Sequence, residues 1–296
     1  MGSGSYTSAD WKKLKESSRI TESSNHSDIF KKTSMDPRFD PKYINVREAR
    51  DSDDHPESTP IILGLDVTGS MGYLAAEIAK EGLNETMLKL FSTKPVTDPQ
   101  IMFAALGDVV DSAPLQVTQF ESDIRIAQQL MDLWLEGRGG DAPEDYQLLW
   151  YFAAKHTKLD CFEKRGKKGY IFTIGDADCH ASVSDRNMQK IFSDDSRSYT
   201  LEELAEMASE KYKLFHIHIT SHSRAPANLA KVLGGRLMTI GARNISVLPE
   251  VIVSTLLMDK GQSLDEVLKN WDKKLRPVIA KTLGGLRLEK GGVISF

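Results

Sequence analysis

Apolar positions are unevenly spread along this chain, and their spacing changes where they become dense. Residues 1–58 are mostly Ser, Thr, Asp and Lys with isolated aromatics, and Ala49–Thr59 (ARDSDDHPEST) carries no large apolar side chain. Such a stretch reads as a polar, flexible arm ending in an acidic linker, because little apolar surface is available to offset the entropy of ordering it. Met35–Val46 (MDPRFDPKYINV), with its spaced aromatics, suits an extended strap along a partner or along its own domain. From Pro60 onward the pattern changes. Short apolar runs at Ile61–Asp66, Ile101–Leu106, Leu115–Phe120, Gly169–Ile174, Leu214–Thr220 and Arg236–Ile240 have the length and composition of buried strands. Between them, apolar residues recur at helical spacing over Met71–Phe91, Ser122–Leu135, Ala142–His156, Leu201–Tyr212 and Val247–Met258. This alternation predicts a three-layer α/β domain over residues 59–260, a mostly parallel six-stranded sheet with helices on both faces. A helical extension and Gly-rich tail follow at 261–296. There Leu264, Val267, Leu268, Trp271 and Leu275 form one stripe, expected to pack on the domain.

Composition narrows the function classes. The chain has 296 residues, enough for one large domain, and carries 38 Lys+Arg against 42 Asp+Glu, a formal charge of −4. That balance argues against a generally basic nucleic-acid binder. The basic runs Lys164–Lys168 and Lys269–Arg276 lack interleaved aromatics and read as solvated faces. Two cysteines, Cys161 and Cys179, are too few for a disulfide framework. No apolar stretch has signal-peptide length or the ~18–20 residues of a membrane span, so a cytoplasmic location and no membrane partner are expected.

The candidate chemistry lies at strand ends, where ligands bind in open α/β sheets. The first strand runs into Asp66-Val67-Thr68-Gly69-Ser70-Met71-Gly72. A carboxylate and two hydroxyls at i, i+2 and i+4 converge as the chain turns into a helix, and such oxygen donors suit a hard divalent cation. Two further acidic loops follow: Gly139-Gly140-Asp141-Ala142-Pro143-Glu144-Asp145, and Gly175-Asp176-Ala177-Asp178 after GYIFTI. Each alone could be a helix cap. Three acidic loops at three strand ends are better explained by a cation that offsets their repulsion.

In these residues the chain resembles a von Willebrand factor type A (VWA) domain with a metal-ion-dependent adhesion site. The DxTxS motif is matched by Asp66, Thr68 and Ser70 within DVTGSMG, the second loop by GGDAPE at 139–144, and the strand-end Asp by Asp176. Gly107-Asp108 also resembles a strand-end pair of that family. The likeness covers roughly residues 60–258. It implies an antiparallel edge at the third strand, and a cation (Mg²⁺, or Ca²⁺ or Mn²⁺) held by Asp66, Thr68, Ser70 and Asp176. It further implies a non-catalytic protein–protein interaction module whose partner offers an Asp or Glu to the ion. By analogy with intracellular relatives, the partner class includes a MoxR-type AAA+ ATPase or a complex subunit. The departure is Asp141, where many relatives use a neutral Thr. An acid there completes or guards the site, tightening metal binding while weakening its pull on an incoming carboxylate.

Two rivals share some residues. DVTGS also resembles the first motif of haloacid-dehalogenase-type Mg²⁺-dependent phosphohydrolases, with Asp66 as nucleophile, but the GGDAPE turn has no role there and no lysine loop is evident. His216, His218 and His222 could bind zinc, since the first two share a strand face; hydrogen-bonded core histidines are the plainer reading. No G-x-G-x-x-G or G-x-x-x-x-G-K-[ST] follows the first strand.

Overall fold

The computed structural model describes residues 4–21, 23–137, 143–193, 197–220 and 225–288. Six strands build the central sheet: β1 (Thr59–Asp66), β2 (Pro99–Leu106), β3 (Leu115–Val117), β4 (Gly169–Gly175), β5 (Tyr212–Thr220) and β6 (Leu237–Gly241), in the order β6-β5-β4-β1-β2-β3. All pairings are parallel except that of β2 with β3, so the third strand is an antiparallel edge. This is the mostly parallel six-stranded α/β sheet, with its antiparallel edge at the third strand, that the resemblance implied.

The period-2 alternation of the strands divides the core into two layers. Ile61, Leu63 and Leu65 of β1, Phe103 of β2, Phe172 of β4 and Phe215 of β5 face one side. Their cover is α1 (Gly72–Glu77), α2 (Leu83–Thr93) and α5 (Leu248–Asp259), with Phe172 and Phe215 stacked at 5.1 Å. Ile62, Met102, Leu106 and Ile171 face the other side, under α3 (Gln147–Lys155) and α4 (Leu201–Ser209). A π-helical segment, Ile78–Gly82, joins α1 to α2, so the expected single helix is present with one widened turn. Helix α3 packs so closely that a Cβ on Gly64 would lie 2.6 Å from Leu149.

The N-terminal stretch is packed, in place of the loose arm that its composition suggested. Ser8–Ser18 is a helix with Thr7 as N-cap, and Trp11, Ile29, Phe30 and Phe39 are buried in the α1/α2 layer. A few large aromatics, each supplying roughly 1.5–3 kcal/mol when buried, decide its placement, and an average over the segment hides them. The linker acid Asp51 is tied beside the start of β1, accepting from Arg165 at 2.6 and 3.0 Å and from Ser58. Beyond α5, Trp271 packs its ring in the core and donates Nε1–H to Ser254 Oγ at 2.8 Å, as the stripe predicted. Among the described residues, no helix is long and apolar enough to cross a membrane.

Candidate metal centre

β1 carries Asp66 to the carboxyl-terminal end of the sheet, where the side chain is 0% exposed. Its Oδ1 accepts from the Thr68 N–H at 3.0 Å and from the Thr68 hydroxyl at 2.7 Å, while Oδ2 accepts from the Tyr146 hydroxyl at 2.7 Å. Thr68 therefore gives its proton to Asp66 and keeps its oxygen lone pairs for another electrophile. Burial raises the Asp66 carboxyl to about 6, the Asp176 charge adding to the rise and the Thr68 and Tyr146 hydrogen bonds opposing it. Tyr146, itself pushed well above its ordinary range by burial and by Asp66, remains a proton donor. Gly175 makes this approach possible, because a Cβ there would meet the Tyr146 oxygen at 2.1 Å and Asp66 Oδ2 at 2.8 Å.

Asp176 follows directly on β4 and is close enough to act on both Asp66 and Tyr73. Ser70 lies in the 3₁₀ turn Gly69–Met71 that leads into α1. Asp141 falls outside the described residues. Among the described residues of the second loop, Glu144 enters this centre, only 5% exposed and in contact with the Thr68 side chain. Burial first, then the charge of Asp66 and those of Asp108 and Asp111, push its carboxyl up to about 9, and its Oε2 has no hydrogen-bond partner. The backbone fixes it there: Glu144 N–H donates to Asp178 O at 2.9 Å, and His180 N–H donates to Glu144 O at 3.1 Å. Sequence spacing brought this loop to the site and favoured Asp141 within it. The pairing of Glu144 with the loop at 178–180, between distant segments, is what turns this acid toward Thr68.

Behind the first set stands a second one. Asp108, after β2, accepts from Val110 N–H at 2.8 Å with Oδ1 and meets His180 Nε2 at 3.0 Å with Oδ2. Burial opposes its ionisation, yet the His180 and Val110 bonds hold its carboxyl below the ordinary value. Asp145 accepts from Val109 N–H at 3.0 Å and from Gln147 Nε2 at 2.5 Å, and burial raises it to about 6. Asp178, by contrast, is a helix cap, accepting from Asn228 N–H at 3.0 Å and Leu229 N–H at 3.1 Å. His216 is buried, bonded through Nδ1 to Thr173 Oγ1 at 2.8 Å and pushed down to about 3 by burial, hence neutral; His222 lies outside the described residues. Cys179 is buried with its Sγ against Gln147 Oε1 at 2.5 Å, and burial pushes its thiol well above the usual range.

The donor set fits a hard divalent ion: the Thr68 hydroxyl, the buried carboxyls of Asp66 and Glu144, the half-buried Asp176 at the end of β4, and a buried Glu144 oxygen with no hydrogen-bond partner. Buried like charges with no cation beside them keep protons instead, which is what the raised Asp66 and Glu144 carboxyls express.

No family model and no curated protein matches this chain. Among solved structures, it is similar to the pilus adhesin SpaC from Lactobacillus rhamnosus GG in its open conformation, with 8% identity and TM-score 0.45, over 71% of this chain and 31% of that one. It is also similar to a von Willebrand factor type A protein from Catenulispora acidiphila (13%, TM-score 0.41, 68% and 42%). A third is proximal thread matrix protein 1 of the mussel byssus with a zinc-occupied MIDAS motif (11%, TM-score 0.39, 72% and 49%). The chain thus spans between about a third and a half of the length of these proteins.

Proposed function

We propose that this VWA-like chain is a non-catalytic, metal-dependent protein-binding module. Asp66, Thr68, Ser70, Asp176 and Glu144 would hold a divalent oxygen-seeking cation such as Mg²⁺, with Asp141 completing or guarding the set. When bound, the ion supplies positive charge and a coordination position for an Asp or Glu of a partner protein. The observation that carries the reading is the meeting of Asp66, Thr68 and Glu144 in one buried spot at the carboxyl ends of the strands.

The chain's own groups have distinct tasks. Tyr146 and the Thr68 N–H fix the plane of the Asp66 carboxylate, so that Thr68 Oγ1 and the outer oxygens are oriented before any ion arrives. Glu144 adds a second buried negative charge, which favours cation capture and lessens the remaining pull on an acidic partner. A nucleophilic role for Asp66 fits less well. It has no exposed surface, both its oxygens are engaged, and the basic run Lys164–Lys168 lies before β4, at the opposite end of the sheet. The partner class to test first is an acidic segment within an ATPase-linked complex.

Calorimetric titration of Mg²⁺ into the chelator-stripped chain tests the proposal. Binding should be lost in Asp66→Ala with the circular dichroism spectrum unchanged, and EDTA should release a bound acidic partner. Undiminished Mg²⁺ binding by a folded Asp66→Ala chain would remove the reading.

A further inference from the structure

Asp108, Asp145 and His180 come from three different loops: after β2, before α3, and after the Asp176 turn. Their ligand atoms all lie within 4.8 Å of one another. We propose that these three residues form a second divalent-cation site, distinct from the centre at Asp66 and Thr68, selective for a borderline ion of the Zn²⁺ class.

Donor chemistry sets that selectivity. An imidazole nitrogen with two carboxylate oxygens suits zinc or cobalt better than magnesium, and three protein ligands leave a fourth position for water. Tetrahedral coordination at 2.0–2.2 Å puts ligand atoms about 3.4 Å apart. The His180 Nε2 to Asp108 Oδ2 separation is already 3.0 Å, so the remaining movement falls mostly on Asp145. Both carboxylates are held from behind by groups that would persist with the ion bound: Val110 N–H on Asp108, and Val109 N–H and Gln147 on Asp145.

A second observation points to a cation here. Glu144 touches Thr68 and feels the charges of Asp66, Asp108 and Asp111, and its Oε2 is buried with no partner. Asp111, whose Oδ2 accepts from Asp108 N–H, adds a further carboxylate. Against Asp108, Asp111, Glu144 and Asp145, the basic groups beside them include His180 and Lys190, and Lys190 directs its Nζ to Val109 O. An ion beside Asp108 would offset the carboxyls gathered there. His180 is one-third exposed, which leaves an entry path from solvent.

The inference does not rest on the function proposed above, and its test is made where the first site is disabled. Co²⁺, a spectroscopic substitute for zinc, is titrated into a chelator-stripped, full-length Asp66→Asn chain. The expected result is one Co²⁺ per chain with the visible absorption of a tetrahedral site, not displaced by millimolar Mg²⁺. Adding His180→Gln should abolish the band and weaken binding tenfold or more. Absence of Co²⁺ binding, or binding indifferent to His180→Gln, overturns the proposal. A reading free of substitutions is carbethoxylation of the wild-type chain by diethyl pyrocarbonate. One equivalent of Zn²⁺ should slow His180 labelling at least fivefold, and an unchanged rate overturns the site. A missing Asp66-dependent Mg²⁺ event would count against the proposed function alone.

Discussion

Glu144→Gln is the substitution whose effect can be worked most fully from the structure. In the metal-free chain the Glu144 carboxyl is raised from 4.5 to about 9, by burial first and then by Asp66. At pH 7 the folded protein therefore keeps a proton on Glu144 that the unfolded chain has released. A folded state that binds more protons than the unfolded one loses stability as pH rises, by about 1.4 kcal/mol per pH unit for one group. The loss begins near the unfolded value of 4.5 and continues up to the folded value. Between pH 4.5 and 7 it accumulates to about 3 kcal/mol, an upper figure because partial solvation at the loop lowers it. Glutamine has the shape of the protonated acid and no titration, so Glu144→Gln should stabilise the metal-free chain by up to about 3 kcal/mol at pH 7 and by almost nothing at pH 4.5. Asp66 and Asp145 titrate in both proteins and cancel in the difference. Urea denaturation in EDTA at several pH values measures this directly. A difference that does not change with pH, or a Glu144→Gln chain less stable at pH 7, would refute the placement of Glu144 in a buried acidic centre.

Other expectations follow from the same geometry. Mg²⁺ binding at pH 7 should expel about one proton, mainly from Glu144, visible as a dependence of the calorimetric enthalpy on the buffer's ionisation heat; no proton release would mean that Glu144 stays outside the coordination shell. Tyr146→Phe removes the donor to Asp66 Oδ2 and should cost about 1.5–3 kcal/mol in EDTA at pH 7.5, since the acceptor is charged and buried; a cost under about 0.5 kcal/mol would show that this bond is not made. Gly175→Ala drives a methyl into Tyr146 and Asp66 and should destabilise by about 1–3 kcal/mol, with weaker Mg²⁺ binding in the same preparation; wild-type values for both would contradict the close approach.

Much of the fold was legible because burial on both faces leaves a plain signature. The runs IILGLD, IMFAAL and GYIFTI became β1, β2 and β4 within a residue or two at their ends. The DVTGS turn was legible for a local reason: Asp66 binds Thr68 two residues away, and local bonds follow from spacing. Elements were misjudged where distant contacts decide. The helix expected from Ala142 begins only at Gln147, because Glu144 and Asp145 are tied to Asp178, Val109 and Gly107. The helix read over Leu264–Leu275 ends at Leu268, and a turn delivers Trp271 to Ser254 before the helix Arg276–Leu283 begins. Tyr146, the partner of Asp66 across 80 residues, carries no motif that marks it. Its only sequence signal was a tyrosine two residues beyond the acid of the APE turn. His180 likewise sits in no motif, and its contact with Asp108, 72 residues away, is what defines its place.

The central claim is that Asp66, Thr68 and Glu144 hold a cation with a position open to a carboxylate. Water-proton relaxation with Mn²⁺ tests it most directly, because an open position carries exchanging water. The wild-type chain should show an enhancement that is absent from Asp66→Asn and that declines as acetate or a glutamate-rich peptide is added. An enhancement insensitive to Asp66→Asn, or one unmoved by carboxylate, would contradict the account.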